Sequence, residues 1–178
     1  MENDFVLLRK EGFEACKQFI DLFDIPNKDD AEIDSFLNEL VSSPKEYCKT
    51  HENYADRCMD ESSSDGDIIW IGILDYLIEK EVIVELDYAC EAGDFIYGMD
   101  GINQAGIYSF DEEDFDDDES IVDWFDMIER KGNPQYCIAG YCIDSDSYCV
   151  FITKRTTRSE MNELARKMGQ KISYAKDM

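Results

Sequence analysis

Two apolar runs, Tyr136 to Ile143 and Tyr148 to Thr153, are separated by only Asp144-Ser145-Asp146-Ser147. Both runs are rich in β-branched and aromatic residues, and the Asp/Ser spacer is turn chemistry, so together they predict a β-hairpin. With Asp144 opposite Ser147, Ile143 faces Tyr148, Cys142 faces Cys149 and Tyr141 faces Val150. Neither run alternates apolar with polar. Strands of that kind need cover on both faces, which places the hairpin inside a sheet covered on both sides, or with one face against helices and the other against the glycine-rich segment that follows Ala89.

The helices are legible as apolar positions at three- and four-residue steps. Phe13, Cys16, Phe19, Ile20 and Phe23 predict a helix from about Glu11 to Asp24, stopped by Pro26. Ile33, Phe36, Leu37, Leu40 and Val41 predict a second, and Ser43-Pro44 with Glu46 reads as a capping box opening a third that runs to about Met59. Asp60 to Asp67 is loop-like, with Ser64 and Asp67 bracketing the next element. Ile68 to Ile78 is apolar except for Gly72 and Asp75, and its length predicts a buried central helix. Val82 to Leu86 reads as a short strand. Ala89 to Phe110 carries four glycines, so only a turn of helix around Phe95 to Met99 is expected. Ile121, Trp124, Phe125 and Ile128 mark an amphipathic helix starting at Ser120 and ended by Gly132 and Pro134, with Asp123, Asp126 and Glu129 as its acidic side. Met161, Leu164, Ala165 and Met168 define a last helix closed by Gly169, and Ile172 to Tyr174 adds an edge strand. The sum is an α+β class chain: a small, mainly antiparallel sheet packed by several helices. It reads as a single domain over residues 1–178, with a helical part at 1–59, an α+β core at 60–178 and an acidic loop at 111–119.

Charge narrows the function. Seventeen basic side chains against 42 acidic ones give a formal net charge of −25. Such a chain repels phosphate backbones and anionic headgroups, so neither nucleic acid nor membrane is expected as a partner. No apolar stretch approaches the roughly 18 residues of a membrane span, and neither a signal peptide nor an anchor is read at the start. Seven cysteines with no Cys-x-x-Cys spacing suit reduced thiols in the cytoplasm. The charge is also uneven. The 49 residues from Glu81 to Glu129 contain 17 acids and no Lys or Arg, whereas residues 153–178 hold 7 basic and 3 acidic side chains.

Catalytic patterns are weak by comparison. The acidic run lacks the Gly and Glu placement of an EF-hand loop. His51, the one histidine, sits in a polar stretch and reads as a surface residue, and no phosphate-cradling Gly-Lys-Ser/Thr sequence exists, so no cofactor is expected. Two function classes stand, beside a third possibility in which the acidity serves solubility alone and the partner surface lies elsewhere. One is a non-enzymatic module docking a basic protein through Asp111, Glu112, Glu113, Asp114, Asp116, Asp117, Asp118 and Glu119 together with Asp123, Asp126 and Glu129 of the following helix. The other is a metal-dependent hydrolase using Asp87, Asp94 and Asp144 or Asp146, which fall at strand ends and turns where sites form.

Three stretches together are similar to a known family: Trp70 to Lys80; Glu85-Leu86-Asp87-Tyr88 followed by Asp94-Phe95-Ile96; and Ile143-Asp144-Ser145-Asp146-Ser147-Tyr148. They resemble a family of short, often acidic bacterial domains of unknown function, in which an aromatic-rich helix and an Asp-Ser-Asp-Ser-Tyr hairpin recur. The resemblance covers the last two thirds of the chain, implies an α+β fold and brings no reaction with it; the N-terminal helices and the acidic run read as extensions. In charge alone the chain is similar to immunity proteins, which block basic toxins by presenting carboxylates where phosphates would sit.

Overall fold

The computed structural model describes residues 2–116, 119–143 and 145–178, with side chains from residue 12 onward. Among these, eight α-helices and four strands follow in the order α1 (Glu2–Asp21), α2 (Asp30–Ser42), α3 (Pro44–Thr50), α4 (Asn53–Asp56), α5 (Asp65–Glu79), β1 (Val84–Asp87), α6 (Ala92–Ile102), α7 (Ile121–Lys131), β2 (Tyr136–Tyr141), β3 (Ser147–Lys154), α8 (Arg155–Lys167) and β4 (Ile172–Tyr174). The fold is α+β. Two compact units divide it, Met1–Tyr76 with Leu164–Gln170, and Leu77–Glu163 with Lys171–Met178.

In the first unit, Phe19, Ile33, Leu37, Leu40, Tyr54, Ile68 and Ile73 are wholly buried. The Phe19 ring lies 5.3 Å from that of Trp70, and the Tyr54 hydroxyl donates to the carbonyl of Ile68 at 2.9 Å. Ser64 caps α5 as its position predicts, its Oγ accepting from the Asp67 N–H at 3.1 Å. Gly72 is where Tyr54 and Leu40 press against that helix, since a Cβ there would stand 2.5 Å from the Tyr54 oxygen and 2.8 Å from a Leu40 methyl. Three boundaries differ from expectation. The first helix runs from Glu2 to Asp21, beginning well before the expected Glu11 and ending short of Pro26. The third ends at Thr50, because His51 takes an extended backbone (φ −116°, ψ 111°) and its Nδ1 meets the Tyr47 carbonyl at 2.8 Å; only the short α4 follows. Ser43 precedes Pro44 as foreseen but makes no side-chain capping bond, so the capping box with Glu46 does not form.

The second unit holds the sheet, fully antiparallel in the order β1-β3-β2-β4. β2 and β3 occupy its centre and are buried on both faces, as their composition requires. Ile138 and Val150 belong to a core with Phe95, Trp124 and Phe125, while Cys137, Ala139, Tyr141, Cys149 and Phe151 are equally enclosed. Register is the main correction. Gly140 faces Val150 and Ile138 faces Ile152, one residue away from the expected pairing. Five residues separate β2 from β3, whereas pairing Asp144 with Ser147 would leave only Ser145 and Asp146 at the turn. A one-residue slip turns side chains to the opposite face, so Cys142 and Cys149 are not cross-strand neighbours. Asp144 lies outside the described residues.

The glycine-rich stretch is the other correction. Gly93, Gly98 and Gly101 lie inside α6, an eleven-residue helix rather than a single turn. Gly98 lies close on β1: a Cβ there would approach the Leu86 and Val84 methyls to 2.9 and 3.0 Å, so those side chains would have to give. Phe95 and Met99 on the inner face are fully buried, and that burial outweighs the poor helix propensity of glycine.

Candidate functional site

The acidic run is built around its one apolar residue. Phe115 is 9% exposed and packs against both Phe95 of α6 and Trp124 of α7, with ring centroids 5.4 and 5.7 Å away, closing a cluster in which those two rings already touch at 5.2 Å. The indole N–H of Trp124 donates to the Asp116 carbonyl at 3.2 Å, and Asp111 caps a 3-10 turn over Glu112–Asp114. Repulsion between neighbouring carboxylates favours a loose loop; here aromatic anchorage overcomes it. The result is a ledge on which Asp111, Glu112, Glu113, Asp114, Asp116 and Glu119 are all exposed. Asp117 and Asp118 lie outside the described residues. α6, which touches this turn, carries Tyr97 with 84% of its surface exposed.

The ledge acids do not share one environment. Asp114 pairs with Lys131 at 2.6 Å. Asp123 is exposed and closes a capping box with Ser120; the serine hydroxyl, then its backbone N–H, hold that carboxyl below its ordinary range. Asp126 is half-buried and bonded to Arg130 and, at 2.9 Å, to Lys176. Glu129, expected on the outer acidic side, is buried instead. Its carboxylate accepts from the Ile138 N–H at 2.9 Å and from Arg155 at 3.1 Å, with Lys176 at 3.6 Å. It ties α7 to the sheet and is not available to a partner. The signal was present in the spacing, since Ile121, Phe125 and Glu129 follow one another at four-residue steps on the same stripe.

A second feature was not foreseen. At one end of the sheet, where β1 and β2 finish and β3 and β4 begin, a cavity of about 580 Å³ opens. The Cys142 N–H donates to the Lys171 carbonyl at 3.2 Å, extending the β2–β4 ladder to its edge. Ser173, 6% exposed, meets the Cys142 Sγ at 3.2 Å. The thioether of Met178 fills the notch at Gly140, where any Cβ would overlap it. Asp146, Ser147 and Tyr148 line the hairpin side and Tyr88, 65% exposed, stands at β1. The hairpin and the Leu-Asp-Tyr strand end were legible motifs; Lys171, Ser173 and Asp177 were not, because only the fold brings them there.

The carboxylates considered for metal chemistry are dispersed in role. Asp87 is exposed and accepts from the Ala89 N–H at 2.8 Å, Asp94 is exposed in the first turn of α6, and Asp146 lines the cavity. Among the described residues no three of His, Cys, Asp or Glu form a group able to hold a metal ion. No described helix is long and apolar enough to cross a membrane.

The chain belongs to the family described as "Domain of unknown function (DUF6630)", whose model matches residues 15–175. The match spans the end of α1, the helices α2 to α5 and the acidic run, while most of α1 precedes it. No curated protein and no solved structure matches the chain.

Proposed function

We propose that this chain is a non-enzymatic binding module whose acidic ledge docks a basic protein. The observation that supports it is the anchorage of Phe115: burial of one aromatic side chain holds Asp111, Glu112, Glu113, Asp116 and Glu119 exposed on a fixed surface. Asp123 and Asp126 extend that surface along α7, with Asp126 already engaged by Arg130 and Lys176. Preformed charge costs less to bind than charge on a disordered arm, and it speeds encounter with an oppositely charged partner. Tyr97 on the neighbouring helix supplies the kind of exposed aromatic that anchors interfaces. An immunity-like role, with ledge carboxylates standing where a basic toxin would hold phosphates, is the specific form this reading takes. The test is affinity capture from cells with the intact chain beside a variant carrying Asp111→Asn, Glu112→Gln, Glu113→Gln and Asp116→Asn. Recovery of a basic protein by the former alone is expected; equal recovery by both overturns the reading.

A further inference from the structure

We propose that the cavity at the end of the sheet binds a neutral polyhydroxylated ring, a mono- or disaccharide. Its volume of about 580 Å³ falls within the roughly 300–1,000 Å³ of small-molecule sites. Its lining mixes polar and apolar surface about evenly. Ser145, Ser147, Tyr148 and Ser173 bring hydroxyls that both donate and accept, Asp146 and Asp177 accept, and Lys171 donates. A sugar hydroxyl is itself donor and acceptor, and a mixed wall of this kind satisfies it from both sides. Among the described lining residues Ile143 and Met178 with Tyr88, Tyr148 and Cys142 supply an apolar share that suits the C–H face of a sugar. Among the described lining residues two carboxylates stand against one ammonium, which in a chain of net charge −25 disfavours an anion.

One further observation points to a ring and another to a preformed site. Tyr88 is 65% exposed, so its aromatic face is open to the C–H face of a bound ring. Ser173, by contrast, is 6% exposed, bonded to Cys142 and fixed opposite Gly140 in the β2–β4 ladder, so the floor of the site is preorganised.

The intact chain is titrated calorimetrically, with saturation-transfer NMR alongside, against glucose, galactose, mannose, N-acetylglucosamine, ribose, maltose and lactose, with spermidine and glucose 6-phosphate as charged counterparts. Saturable binding of at least one neutral sugar with a Kd at or below about 1 mM is expected. It should be insensitive to salt and weaken roughly five- to tenfold in Tyr88→Ala, the value of one aromatic contact. That exposed position tolerates truncation, which circular dichroism verifies, and Ser173→Ala gives a second, independent loss. Absence of saturable binding by every neutral sugar, salt-sensitive preference for spermidine or glucose 6-phosphate, or unchanged binding in Tyr88→Ala overturns the proposal.

Discussion

Glu129 distinguishes a buried tie from a surface charge, and its replacement can be worked through. The side chain is 3% exposed and serves one backbone donor and two cations. Glu129→Ala leaves the Ile138 N–H buried without its acceptor, at a cost of about 1–3 kcal/mol. It also removes the bonds to Arg155 and Lys176, which are 37% and 31% exposed, so water screens the loss and about 0.5–1 kcal/mol is added. The total is about 1.5–4 kcal/mol. Glu129→Gln keeps an oxygen for Ile138 and loses only the charge, for about 1 kcal/mol. Urea denaturation at constant m-value measures both, and amide exchange at Ile138 should quicken in the alanine variant more than in the glutamine one. A carboxylate on an outer face would give changes within about 0.5 kcal/mol for either. That result, or equal costs for the two variants, refutes the buried-tie argument.

Glycine scanning of α6 should split by position: Gly98→Ala costs about 1–2 kcal/mol by pressing on Leu86 and Val84, whereas Gly93→Ala and Gly101→Ala, which open onto space, stabilise by about 0.5 kcal/mol each in thermal or urea melts. Thiol labelling should begin at exposed Cys58 and reach Cys16 and Cys137 only on unfolding, because burial pushes these thiols from 9.0 up to about 12 and about 11. The folded state keeps those protons while the unfolded chain releases them above pH 9, so the stability they contribute is complete below that pH and is lost as pH rises through 11 and 12. Urea midpoints at rising alkaline pH check this, and Cys137→Ala should flatten the decline.

Much of the fold was legible because it follows from periodicity and burial. The stripe of α7, the apolar length of α5 and the doubly apolar β2 and β3 each leave one solution for their surroundings. What stayed hidden depended on distant partners. Three glycines argued against α6, and only its packing on β1 and the burial of Phe95 and Met99 reverse that. Asp-Ser-Asp-Ser is compatible with several loop lengths, so the hairpin register slipped by one. The ledge was half legible: its acids are plain in the sequence, but Phe115 as the residue that fixes them emerges only beside Phe95 and Trp124. The cavity was illegible, since Tyr88, Asp146 and Ser173 lie far apart in the chain and converge through strand order alone.

The central claim is that the acidic ledge is a docking surface, and the most direct measurement is the association rate with the captured basic partner at low and moderate salt. For the intact chain the rate should fall steeply with salt, and neutralising Asp111, Glu112, Glu113 and Asp116 should slow it by about tenfold at low salt while leaving the melt unchanged. A rate indifferent to both salt and neutralisation would contradict it.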